Sequence, residues 1–199
     1  MEAETPITPL LEELRTAFIQ KGADVDRFLR SGLFHEEVVE RAAALPFELP
    51  EEIVELYGWH DGQQDDAEFE PGSFVFRDNT FISLDRAVGE YGTMLRAYRE
   101  PMAGIDVGFD LEGSFPFATY EGSYHVIVCG PHRLDSPSPR PIVNVYQGID
   151  LFFHSFESML RTCIDWVRHP QWSTEKGGLG AEDDIEREIW LRHNPGVFA

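Results

Sequence analysis

The chain has 199 residues, enough to bury a core without disulfide or metal staples, and its 16 Lys plus Arg against 36 Asp plus Glu give a formal net charge of −20. With 42% hydrophobic and 13% aromatic residues it is too apolar for a disordered acidic polymer, so a folded body with a negative surface is expected. Charge of that sign repels nucleic acid and anionic lipid and attracts basic protein surfaces, which excludes DNA, RNA and membranes as expected partners.

The first residues, M-E-A-E-T-P, lack a basic region followed by an apolar run, and no stretch reaches the length needed to span a bilayer, so a cytoplasmic location is expected. Thr8-Pro9 reads as the cap of a first helix in which Leu10, Leu11, Leu14 and Phe18 share a face, ending near Lys21-Gly22. A second helix is expected from about His35 to Leu45, with Val38, Val39, Ala42 and Leu45 inward, before Pro46 interrupts it.

The stretch from Leu49 to Gly62 is the best-marked element in the first half. Pro50 stands at a first helical position and Glu51 and Glu52 fall in the first turn, where they suit the helix dipole. Ile53, Leu56 and Tyr57 follow at i, i+3, i+4, and Gly58-Trp59 and Asp61-Gly62 supply a stop and a turn. The polar loop His60 to Gly72 leads into F-V-F-R (74–77), an alternating strand. Ser83 then caps a helix with Leu84, Val88, Tyr91, Leu95 and Tyr98 on one stripe, closed by Pro101.

From Ile105 the period changes. Ser114 to Tyr120 and Tyr124 to Cys129 flank Glu121-Gly122 as a hairpin, and Ile142 to Tyr146 pairs similarly with Ile149 to Phe153 across Gln147-Gly148. The proline-rich run between them reads as an exposed crossing loop. Ser155 caps a closing helix with Phe156, Met159, Leu160, Cys163, Ile164 and Val167 at helical spacing. Strands grouped after helices predict an α+β fold, an antiparallel or mixed twisted sheet with N-terminal helices and a closing helix packed on it. Residues 1–170 are read as that domain. Residues 171–199 are read as a linker plus a C-terminal helix, Ala181 to Asn194, docking on the same domain through Ile185, Ile189 and Trp190.

The motif L-P-x-x-I-x-x-L-Y-x-W-x-D-G resembles the SUKH superfamily, the family of Smi/Knr-type cell-wall-synthesis regulators and of immunity proteins against polymorphic toxins. It is carried here by Leu49, Pro50, Ile53, Leu56, Tyr57, Trp59, Asp61 and Gly62, then Phe115 to Ala118, Gly122, and Ser155 to Glu157. The resemblance implies the same mixed fold and a non-enzymatic binding role. The family often carries an acid after the Gly of the central hairpin, where this chain has Ser123.

Reactive groups are sparse. Cys129 and Cys163 lie in apolar runs, as reduced core thiols do. His125 and Cys129 would face one side of a strand and could form a base and a nucleophile, yet no orienting third group is identifiable. Asp61, Asp65, Asp66, Glu68 and Glu70 lack the calcium-loop spacing, and K-G-G-L-G (176–180) lacks both a preceding strand and a G-K-[ST] ending, so no metal or cofactor is expected. Charge placement says more. No Lys or Arg occurs between Arg41 and Arg77, a window with nine acids. The expected partner-binding face is therefore Trp59, Asp61, Asp65, Asp66, Glu68, Phe69, Glu70 and Glu121, acids around desolvated aromatic anchors. The expected function is non-enzymatic capture of a basic protein, a cognate nuclease-like toxin. The alternatives are a regulatory scaffold of the cell-wall-regulator type and a Cys/His enzyme.

Overall fold

Helices and strands in the computed structural model follow the period changes in the sequence, and the fold is α+β: among the described residues, six α-helices around a five-stranded antiparallel sheet. The structure describes residues 6–64, 75–76, 79–99, 106–146, 148–175, 178 and 183–197, the side chains of 99 and 183 excepted.

Helix α1, Thr8–Gln20, buries Leu10, Leu11, Leu14, Ala17 and Phe18. Its start departs from the expected Thr8 cap. Ile7 is the capping residue, and the Thr8 amide and hydroxyl both donate to Glu55 Oε2, at 2.9 and 2.7 Å, so a carboxylate 47 residues away covers the first turn. Helix α2, His35–Ala42, ends before Leu45, which is buried in the following turn. Val39, expected inward, is 55% exposed. Val38 and Ala42 alone carry the burial of an eight-residue helix.

Helix α3, Glu51–Trp59, begins one residue after Pro50, which is the extended capping residue, and buries Ile53, Leu56 and Tyr57. Gly58 sits inside the helix, where the chain at 30–33 crosses it. Leu33 N donates to Tyr57 O at 2.9 Å, and a Cβ on Gly32 would stand 2.0 Å from the Gly58 carbonyl oxygen. Helix α4, Leu84–Arg99, turns Leu84, Ala87 and Met94 fully inward, while Val88, Tyr91, Leu95 and Tyr98 are half-buried. The expected Phe74–Arg77 strand is described only at Val75 and Phe76, both buried; Phe74, Arg77 and Pro101 lie outside the described residues.

Strands β1 (Thr80–Phe81), β2 (Ser114–Tyr120), β3 (Ser123–Val128), β4 (Ile142–Val145) and β5 (Ile149–Phe153) lie in sequence order. Glu121 and Gly122, with φ of 45° and 84°, make the β2–β3 turn, the geometry a two-residue hairpin favours. Pro116 stands inside β2, which a central strand rarely tolerates. It is accommodated because β1 pairs only with Ala118 and Thr119, and the ladder to β3 shifts between Pro116 and Ala118.

The sheet is covered on both faces. Tyr124, Val126, Val128, Val143 and Val145 pack with Met94 of α4 on one side. Phe115, Phe117, Ile127, Ile142 and Phe153 join the larger core on the other, with α1, α3 and α5. Helix α5, Phe156–Arg168, starts as expected: Ser155 Oγ accepts from Ser158 N at 3.0 Å, and Met159, Leu160, Cys163, Ile164 and Val167 are buried. Helix α6, Asp183–His193, lies against α5 and β5. Trp190 stacks on Phe153 at 4.4 Å, Asn194 Nδ2 donates to Thr162 Oγ1 at 3.1 Å, and Asp165 of α5 takes both Arg192 (3.0 Å) and His193 (2.9 Å). Burial pushes the Asp165 carboxyl up, but those two partners outweigh it and hold it below the usual value.

Candidate functional site

The residues after α3 form a crossroads of the chain. Trp59 is half-buried; its Nε1 donates to Glu12 Oε1 at 2.8 Å, and its ring meets His60 edge-on at 4.5 Å. His60 Nδ1 lies 2.6 Å from Arg30 O. Gly62, at φ 75°, passes so close to the start of α4 that a Cβ would meet Ser83 N at 2.4 Å. Gln63 is buried and bonded twice to Phe81: its backbone N–H donates to Phe81 O at 2.7 Å, and its side-chain Oε1 accepts from Phe81 N at 2.8 Å.

Asp61, expected on a partner-binding face, is turned inward. Its side chain is 12% exposed, Oδ1 accepts from Leu84 N at 2.8 Å, and Oδ2 lies 3.4 Å from Arg41 Nη1. It therefore caps α4 across 23 residues, the role the sequence suggested for Ser83, whose Oγ makes only a 3.4 Å contact with Arg86 N. Burial raises the Asp61 carboxyl above its ordinary value, with Leu84 and Arg41 opposing. Arg41 also reaches Asp85 at 3.3 Å and Glu37 at 3.9 Å, and so serves as an internal counterion.

Glu121 is exposed at the hairpin tip. The Tyr98 hydroxyl, near the far end of α4, donates to Gly122 O at 3.4 Å. Because Asp61 caps one end of α4 and Glu121 neighbours the other, the two stand about 20 Å apart along the helix axis. Asp65, Asp66, Glu68, Phe69 and Glu70 lie outside the described residues.

His125 and Cys129 do face the same side of the sheet, but four residues of extended chain separate them by about 13 Å, beyond the reach of a nucleophile and its base. His125 is buried with Nε2 3.1 Å from Asn79 Nδ2, among Phe117, Phe152 and Phe153. The Cys129 thiol is pushed up to about 12, chiefly by burial, the opposite of an activated thiolate. Among the described residues no group of three or more His, Cys, Asp or Glu could hold a metal ion, and no helix is long and apolar enough to cross a membrane.

Ion pairs absorb much of the positive charge. Arg15 meets Asp26 at 2.5 Å, Arg140 meets Glu52 at 2.6 Å, Arg168 meets Glu13 at 2.6 Å, and Arg133 and Arg161 are similarly engaged. Even if all 16 Lys and Arg were paired one to one, 36 − 16 leaves 20 carboxylates with no internal counterion. What sequence reading missed is where apolar surface stays open. Phe34 is 77% exposed and Val39 55%, the two most exposed large hydrophobic side chains among the described residues. Helical spacing could not have flagged the first, since Phe34 stands four residues before Val38 and eight before Ala42, on the stripe that α2 buries, but precedes the helix. In comparisons with known proteins, no family model and no curated protein matches the chain.

Proposed function

We propose that this protein is a SUKH-type immunity protein, a non-enzymatic acidic binder that acts in the cytoplasm by holding a basic, nuclease-like toxin. The observation that carries the reading is the carboxylate surplus, a formal net charge of −20 that one-to-one pairing of every Lys and Arg, as in the half-covered Arg140–Glu52 and the exposed Arg168–Glu13, leaves in place. Proteins that cut nucleic acid present positive surface to phosphates, and an anionic protein of this kind is attracted to that surface over a range set by the Debye length. Occlusion of such a surface is stoichiometric and requires fit and charge, not a reacting group. The motif residues that carry the family resemblance form α3 and the turn beyond it, with Leu56 and Tyr57 in the core and Asp61 capping α4.

The test is co-expression with the toxin encoded beside the gene. Growth should be rescued, and the two proteins should co-purify as a complex whose inhibition titrates to a fixed ratio. Protection at a small fraction of the toxin concentration would indicate turnover and overturn the reading. Retention of several partners with protection against none would point to a regulatory scaffold.

A further inference from the structure

Helices α2 and α3 and the segment 43–50 that joins them enclose a groove of about 670 Å³. Val38, Val39, Leu45, Phe47, Leu49 and Val54 give it an apolar lining, and Glu48 and Glu51 line it as well. Glu36 and Glu40 follow the lining residues His35 and Val39 around α2. All four glutamates are exposed, and none forms an ion pair among the described residues. Arg41 is the one cation in the sequence between Arg30 and Arg77, and it is turned away onto Asp61 and Asp85. The exposed rings and methyls of Phe34 and Val39 stand at the same helix.

We propose that this groove docks an amphipathic helix of a basic protein, seating one row of bulky apolar side chains between α2 and α3 and setting flanking Lys or Arg over Glu36, Glu40, Glu48 and Glu51. The proposal rests on the acidic-binder reading above and gives it a location. Two of the walls are helices whose backbone groups are spent internally, so there is no strand edge to extend; an occupant with its own backbone satisfied fits better than an extended peptide. The rim selects sign, because four unneutralised carboxylates around an apolar lining attract cations and repel another copy of a chain with net charge −20.

The probe is a synthetic helical peptide of about 16 residues with Leu at i, i+3, i+4, i+7 spacing and Lys elsewhere, set against a twin with Glu in place of Lys. Titrated into the full-length protein, the Lys peptide should shift amide resonances of α2, 43–50 and α3, and the Glu twin should not. Val39→Asp and, separately, Glu48→Lys with Glu51→Lys should each weaken binding about tenfold or more, whereas Glu121→Lys should change it less than about twofold. These positions are exposed, so an unchanged melting curve certifies the fold of each variant. Shifts scattered over the whole surface, or insensitivity to Val39→Asp, overturn the groove. Concentration-dependent dimerisation abolished by Val39→Asp would assign it to a second copy and overturn it too. If the toxin complex forms undisturbed by Val39→Asp, the groove fails and the proposed function stands; if the peptide docks as described while no basic protein partner exists, the reverse holds.

Discussion

Asp61 illustrates how an acid in an acidic chain can serve the fold instead of the surface. Its carboxylate satisfies a first-turn amide of α4 and faces Arg41. Asp61→Ala should cost about 2 kcal/mol in chemical denaturation, and Asp61→Asn, which keeps an acceptor, less. The pH dependence has a definite sign. Burial places the folded-state carboxyl above its unfolded value, so the folded protein holds the proton more tightly, and this group withdraws stability as pH rises from the unfolded value through the raised one. Asn at 61 removes that contribution, so across this acid window the variant should lose less stability with rising pH than the parent; parallel curves would refute the assignment. Cys129 makes a second residue-level prediction. With its thiol at about 12, it should stay unreactive towards a disulfide reagent near neutral pH until the protein unfolds, and fast labelling of the native protein would reopen the case for a nucleophile.

At the level of elements, legibility tracked locality. Helix α5 announced itself completely because its cap, Ser155, and its stripe, Phe156 to Val167, lie within a few residues of each other. The Glu121-Gly122 hairpin was equally readable, its two positive φ angles being a local demand. What escaped was supplied from a distance: Glu55 covering the start of α1, Asp61 the start of α4, and α4 covering the sheet face opposite the closing helix. Val39 was placed inward by a spacing rule that cannot know whether a neighbour arrives to cover it. The segment after α3 is held by close approach, and Gly62 tests this. At φ 75°, with a Cβ 2.4 Å from Ser83 N, Gly62→Ala should destabilise by about 3 kcal/mol or more, measured by thermal unfolding. Gly122→Ala, with φ 84° but nothing within 4 Å, should cost distinctly less, since only the dihedral is strained.

Across the whole molecule the sign of charge was plain from composition, but its distribution was not, because the fold gives each carboxylate its own surroundings. Asp61 turns inward and Glu52 pairs with Arg140, while Glu121 stands at the far end of α4. A surplus of 20 carboxylates nevertheless sets a field that an approaching cationic protein meets before any contact forms. Association with a basic partner should therefore fall by about tenfold or more between low and physiological ionic strength, with dissociation changing much less, as stopped-flow mixing would resolve. Combined reversal of Asp65, Asp66, Glu68 and Glu70 to Lys changes the net charge by eight units within six residues of sequence and should slow association while leaving the salt-independent rate unchanged. A salt-insensitive association rate would mean that the charge serves solubility alone and that recognition depends on shape and apolar contact.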